Sequence, residues 1–181
     1  KGYSVMLASL SQALKQLNPE LVKRVHFLAL GHGVSLENPL FRPMAAASMP
    51  LDRLHLLGKR SDVPRLLRCF DIFVLPSISE AFPNALIEAM ATGLACIATD
   101  VGECREVLAM PDFIVQPGNV SDLANCISTL VSLTTEERIS LGEINKQRVA
   151  INYGIEHMVK SFDILFGKAA TDKIASNILE S

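Results

Sequence analysis

Short apolar runs, each closed by a turn signal, recur along this chain with helix-length amphipathic stretches between them. Residues 25–30 (Val-His-Phe-Leu-Ala-Leu) are closed by Gly31-His32-Gly33, residues 53–57 by Gly58, residues 71–76 by a polar loop and residues 94–98 by Thr99 to Gly102. Runs that are apolar without alternation read as strands covered on both faces. Between and around them, helical spacing predicts helices over residues 4–17, 36–49, 63–69, 84–92, 102–108, 121–133, 136–151 and 155–167, with a fifth strand at 113–115. Asn18-Pro19 reads as the stop of the first helix and Asp62 as the cap of the third. Strands joined through helices require right-handed crossovers. The predicted fold class is therefore α/β: a Rossmann-like open parallel sheet of five or six strands with helices on both faces.

Composition narrows the function classes. With 181 residues the chain suits one domain, and 49% hydrophobic against 20% charged residues supplies a core. A formal charge of -2 gives no basic excess for nucleic acid. No apolar run approaches the roughly 18 residues that span a bilayer. Cys69, Cys96, Cys104 and Cys126 form no Cys-x-x-Cys pair, which fits reduced thiols and a cytoplasmic protein better than disulfides or zinc. Met44, Met49, Met90 and Met158 read as core, His26 as a satisfied core histidine, and Arg65, Arg68, Arg138, Lys146 and Arg148 as solvated helix charges.

In open parallel sheets ligands bind beyond the carboxyl ends of the strands. Here these ends are the loops 31–33, 58–62, 76–84 and 99–102. Gly31-His32-Gly33 resembles half of a dinucleotide fingerprint but lacks the third glycine, so a tight turn is the better reading and a nicotinamide dehydrogenase a poor one. Loop 77–84 places Glu80 just before a helix whose four free amides and positive dipole end would favour a phosphate, with Ala81 and Ala85 small enough to let it approach. Glu88 lies one turn further, four residues after Asn84. By spacing alone, Glu80 as a cap and Glu88 as a solvated helix charge is an equal reading.

Asp71-Ile-Phe-Val-Leu-Pro-Ser77, Ser79-Glu80-Ala81-Phe82-Pro83-Asn84 and Leu86-Ile-Glu88-Ala-Met-Ala-Thr-Gly93 together resemble the signature of family 4 retaining glycosyltransferases of GT-B fold, in which two glutamates are separated by seven residues. The resemblance extends to Lys1-Gly2, Leu30 to Gly33, Leu57-Gly58 with Asp62-Val63-Pro64, and Thr99 to Gly102 with Glu106, covering residues 1–165. It implies the carboxy-terminal, nucleotide-sugar-binding half of a two-domain enzyme: residues 1–167 form the domain, which lacks its first strand, and residues 168–181 a polar tail. The amino-terminal acceptor domain is expected to be absent, and the isolated chain inactive.

Carried over by position, the resemblance makes Glu80 and Lys1 catalytic, Lys1 as a point charge on the leaving diphosphate, with its arginine partner upstream. Glu88 would bond the ribose, the backbone of Ala85 and Leu86 would meet the distal phosphate, and Glu80 with Ala81, Phe82, Pro83 and Asn84 would hold the sugar. Arg60 would face the base, with Gly31 and Gly33 beside the donor. No metal or other cofactor is implied. The implied partners are a nucleotide-diphosphate sugar, the chain's own missing domain, and a glycan or lipid-linked acceptor of polysaccharide, lipopolysaccharide or capsule biosynthesis. The implied location is the cytoplasm, with room for a peripheral membrane contact through the missing domain. Ala81 stands where the family usually has glycine, and Leu94-Ala95 where proline and valine are usual. A silent nucleotide-sugar-binding module and a GT-B sugar-nucleotide epimerase are the alternatives.

Overall fold

The computed structural model describes residues 2–39, 41–154 and 164. In chain order the elements are α1 (Tyr3–Gln16), α2 (Pro19–Arg24), β1 (Phe27–Ala29), α3 (Arg42–Ser48), β2 (Leu54–Leu56), α4 (Val63–Leu67), β3 (Ile72–Leu75), α5 (Asn84–Ala91), β4 (Ala95–Thr99), α6 (Cys104–Leu108), β5 (Ile114–Val115), α7 (Val120–Ser132) and α8 (Thr135–Asn152). The helix expected over 155–167, with Met158, lies outside the described residues except for Ile164, which is helical and exposed, and Lys1 and the tail lie outside them too.

All strand pairing among the described residues is parallel. β3, β4 and β5 form one sheet, with Ile72 opposite Ala95 and Ala98 opposite Ile114, and β1 and β2 form another, with Phe27 opposite Leu54. Instead of the single sheet expected, the described strands form two parallel sheets, because no described residue pairs β1 with β3.

Strand β4 is the centre of the larger sheet, and every one of its residues is buried. Its side chains alternate between two cores. Ala95 and Ile97 join Met6, Leu7, Leu10 and Ala13 of α1 and Leu123, Ile127 and Leu130 of α7, a cluster that continues to Ala29 and Leu54 in the smaller sheet. Cys96 and Ala98 face the opposite core, among Leu75, Leu86, Met90, Val107 and Leu108. Each large aliphatic side chain so buried contributes about 1.5–3 kcal/mol.

Several local expectations are corrected. Asn18-Pro19 ends α1 but also starts α2, since the Asn18 side chain accepts from the Glu20 N–H at 2.9 Å and Pro19 takes the first helical position. The helix predicted over 36–49 is confined to Arg42–Ser48, with Pro43 in its first turn. Asp62 precedes α4 without capping it, its carboxylate being taken by Arg60. Met44 is exposed, whereas Met49 and Met90 are buried. His26 is exposed, its ring 3.0 Å from that of His55. Arg138 and Arg148 donate to carbonyls at the ends of α7 and α6, at Leu130 and Val107, and thereby satisfy groups a helix end leaves open. No helix among the described residues is long and apolar enough to cross a membrane.

Candidate functional site

The chain leaves β3 through Pro76 and Ser77 at the carboxyl end of the larger sheet. Ser77 is buried, and the hydroxyl of Thr99, the last residue of β4, lies 2.6 Å from the Ser77 carbonyl and 3.2 Å from that of Leu75. From this anchored position the Ser77 hydroxyl donates to Glu80 Oε1 at 2.6 Å. The backbone of Glu80 is fixed as well. Gly102 sits against it at φ +51°, where a Cβ would lie 2.1 Å from the Glu80 carbonyl oxygen. Neighbouring strand ends therefore hold one partly buried carboxylate by its side chain and by its main chain.

Helix α5 starts after the buried Pro83 with no side-chain cap. Fewer amides are open here than the sequence suggests. Asn84 N–H donates to the Phe82 carbonyl, and the Leu86 and Ile87 N–H groups both donate to the Pro83 carbonyl, at 3.0, 3.0 and 3.1 Å. Of the first turn, the Ala85 N–H alone remains for a ligand. Ala85 and Glu88 are exposed, whereas the Leu86 side chain is buried in the core. Phe82 stays half exposed, its ring edge-on to Tyr153 at 6.2 Å.

The loops of the smaller sheet are laced together. Gly31 N–H donates to the Gly58 carbonyl at 2.8 Å, Gly58 N–H to that of Val34 at 3.1 Å, and the Asn38 side chain to that of Gly33 at 2.7 Å. Arg60 makes a two-pronged pair with Asp62, 2.8 Å on each side, which holds the Asp62 carboxyl below its usual range. Arg60 is thus occupied by Asp62, so a base would have to compete for it.

A cleft of about 930 Å³ opens between β1 and β3, and Gly2, Ser77, Glu80 and Ala85 line it. Gly31, Gly33, Arg60 and Glu88 do not. Of the expected donor residues, Glu80 and Ala85 thus line the cleft, whereas Glu88 is exposed on α5 outside its lining and the glycine loops and Arg60 lie in the loops of the smaller sheet. Three contributors were not singled out in the sequence as holding Glu80: Ser77, Thr99 and Gly102. A serine three residues before Glu80 and a glycine after the next strand were the available signals.

Beyond Thr99, Asp100 accepts from Arg105 at 3.1 Å and from Gln116 at 3.1 Å, and the guanidinium keeps its carboxyl below the usual range. Burial pushes the Cys104 thiol, at the start of α6, up to about 11. Among the described residues no group of three or more His, Cys, Asp or Glu is arranged to hold a metal ion.

The family model described as glycosyl transferases group 1 matches residues 2–132. An Escherichia coli UDP-Gal:alpha-D-GlcNAc-diphosphoundecaprenol alpha-1,3-galactosyltransferase is 33% identical over 102 residues, covering 55% of this chain and 26% of that enzyme. A glycosyltransferase structure from Rickettsia africae superposes with a TM-score of 0.77 at 26% identity, over 93% of this chain and 44% of that one. Anabaena HepE, solved in complex with UDP and glucose, superposes with a TM-score of 0.63 at 26% identity, over 84% and 44%. The chain thus spans about a quarter of the galactosyltransferase and less than half of either solved chain.

Proposed function

Because the chain belongs to the group 1 glycosyltransferases, we propose that it is the donor-binding part of a retaining enzyme that moves a sugar from a nucleotide-diphosphate sugar to a glycan or lipid-linked acceptor. The observation that carries the reading is the Glu80 carboxylate, fixed by Ser77 beside the start of α5. As the bond from the sugar to the diphosphate breaks, its electron pair leaves with the phosphate oxygen and positive charge develops on the sugar. A fixed carboxylate stabilises that charge more in the transition state than in the bound substrate. The acceptor hydroxyl then bonds to the same face of the sugar and gives its proton to the departing diphosphate.

The leaving diphosphate needs positive partners. The open Ala85 N–H and the dipole of α5 supply part of this, and Lys1 together with an arginine of the amino-terminal domain supplies the rest, without a metal. Glu88 accepts from the ribose hydroxyls. The galactosyltransferase named for UDP-Gal and the HepE structure holding UDP make a uridine nucleotide the first donor to test, and the diphosphoundecaprenol in the former's name makes a lipid-linked acceptor the first acceptor.

The test is calorimetric titration of UDP into this chain and into Glu88→Ala, followed by a transfer assay on the longer enzyme. Binding weakened in the variant, with sugar transfer by the longer enzyme, supports the reading. Equal affinities remove Glu88 from the site. Nucleotide binding with no transfer favours a silent module, and inversion at a sugar carbon without transfer favours an epimerase.

A further inference from the structure

On the smaller sheet two imidazoles meet edge to edge. His26 Nδ1 lies 3.0 Å from His55 Nε2, with the ring centres 5.3 Å apart and the ring planes 19° apart. Centres that far apart for so short a contact put both nitrogens on the line between them, so the rings lie side by side rather than face to face. The register explains the meeting. Phe27 pairs with Leu54 and Leu28 with His55, and alternate residues of a strand share a face. His26, Leu28 and His55 therefore share one face of the sheet. Phe27, Ala29, Leu54 and Leu56 share the other, which packs into the core around α1. His26 is exposed and His55 half-buried, so the pair is open to solvent. His26 stands just before β1, at its amino end, whereas the glycine loops and Arg60 follow the carboxyl ends of β1 and β2.

A single N–H···N bond uses one proton, so one ring donates and the facing nitrogen of the other offers a lone pair. A divalent ion in place of that proton would bond both nitrogens. Zinc holds imidazole nitrogens at about 2.0–2.1 Å, and two such ligands at right or tetrahedral angles stand roughly 2.9–3.4 Å apart. The separation across β1 and β2 already falls in that interval. Bringing both lone pairs onto one ion takes a turn of each ring about its Cβ–Cγ bond, a broad torsion in histidine. The Arg53 guanidinium, next to Leu54 in the chain, is taken by the Val22 carbonyl, and Arg24 and Asp71 bring one charge of each sign to the cleft that His26 lines.

We propose that His26 and His55 form a two-ligand site for a divalent transition ion of the zinc class, and that the bound ion clips β1 to β2. Imidazole suits Zn2+, Cu2+ and Ni2+. No third His, Cys, Asp or Glu is grouped with the pair among the described residues, so water completes the coordination. A sheet of two strands is marginal by itself, and a link across one end of it adds restraint that few backbone hydrogen bonds supply. The site takes neither nucleotide nor sugar, and so stands or falls apart from the donor reading.

The test titrates Zn2+ into the 181-residue chain carrying Cys69→Ser, which removes the exposed thiol as a competing ligand. Calorimetry is run on this protein and on its His26→Gln, His55→Gln and doubly substituted forms. The second bond of a chelate forms at high effective concentration, so either single substitution should weaken Zn2+ binding about a hundredfold, and the double substitution little further. In the parent protein the ring resonances of both His26 and His55 should move on adding equimolar Zn2+, a readout that needs no histidine variant to fold. Amide exchange in β1 and β2 should slow with the ion bound. No saturable binding, losses that add in the double variant, or binding that survives it would each overturn the site. So would ring shifts confined to His32 or His157. Binding with unchanged exchange in β1 and β2 overturns the clip.

Discussion

The hydroxyl of Ser77, itself buried, reaches the Glu80 carboxylate across 2.6 Å. A neutral donor on a carboxylate fixes where the charge sits, and a buried donor cannot be replaced by water without rearrangement. Ser77→Ala in the longer enzyme should lower kcat with little change in donor KM, and Ser77→Thr, which keeps the hydroxyl, should recover part of it. A charge-assisted bond of about 1.5–3 kcal/mol bounds the loss at roughly ten- to a hundredfold. Steady-state kinetics that showed a raised KM and an unchanged kcat for Ser77→Ala would place Ser77 in recognition only.

Glu80 and Glu88 should separate in the same assay. Glu88→Ala removes contacts to a nucleotide that changes little during reaction, so it should raise donor KM and leave kcat nearly unaltered. Glu80→Gln keeps size and deletes charge, and should lower kcat at nearly constant KM. The reverse pattern would exchange the two roles.

Thiol chemistry gives a probe independent of activity. Burial raises the Cys96 thiol strongly and the Cys104 thiol to about 11, and both side chains are enclosed, whereas Cys69 is exposed. In the folded chain a thiolate-seeking reagent should modify Cys69 first and reach Cys96 and Cys104 only on unfolding. Mass mapping after brief labelling checks this, and early label on Cys104 would mean that α6 opens readily.

Acid should weaken the turn after β4. Arg105 holds the Asp100 carboxyl below its usual range, so the pair stabilises the fold above the ordinary carboxyl value, near pH 4, and the contribution is lost as pH falls through the lower folded value. Asp100→Asn should flatten the acid limb of Tm against pH. Arg105 is half exposed, so added salt should shrink the difference.

Ala109 closes α6 in the left-handed region, at φ 49°. An L side chain there is strained by about 1–2 kcal/mol, part of which glycine returns as extra freedom of the unfolded chain. Ala109→Gly should therefore raise stability by roughly 0.5–1 kcal/mol, measured by denaturant midpoint. A fall in midpoint would show that the Ala109 methyl packs usefully.

Much of the fold was legible because buried parallel strands announce themselves as unbroken apolar runs: Ile72 to Leu75 and Ala95 to Thr99 lie within a residue or so of where their composition put them. Pro19 was read only as a helix stop, since proline both ends one helix and opens the next. His26 was assigned to the core because a strand's two faces look alike in a short run, yet it faces outward beside His55. Of the residues that spacing and family likeness single out, Glu80 and Ala85 line the cleft and Glu88 stands exposed on α5 outside it. The closing of the Asn84 and Leu86 amides could not be judged, because the Phe82 and Pro83 carbonyls turn back on them, and that depends on backbone angles rather than on residue type. The anchoring of Glu80 by Thr99 and Gly102 joins residues far apart in the chain, and no local pattern encodes it.

Helix α1 packs on α7 against the larger sheet and on α3 beside the smaller one, and its buried residues belong to the core that both sheets share. A ligand touching Glu80 on one sheet and the glycine loops on the other would bind as a chelate, its second contact made at the effective concentration that α1 imposes by fixing the spacing. Trimming Leu10 or Ala13, both buried in that core, would then cost affinity for the whole molecule while leaving affinity for each half unchanged. For such a ligand the helix would act as a ruler.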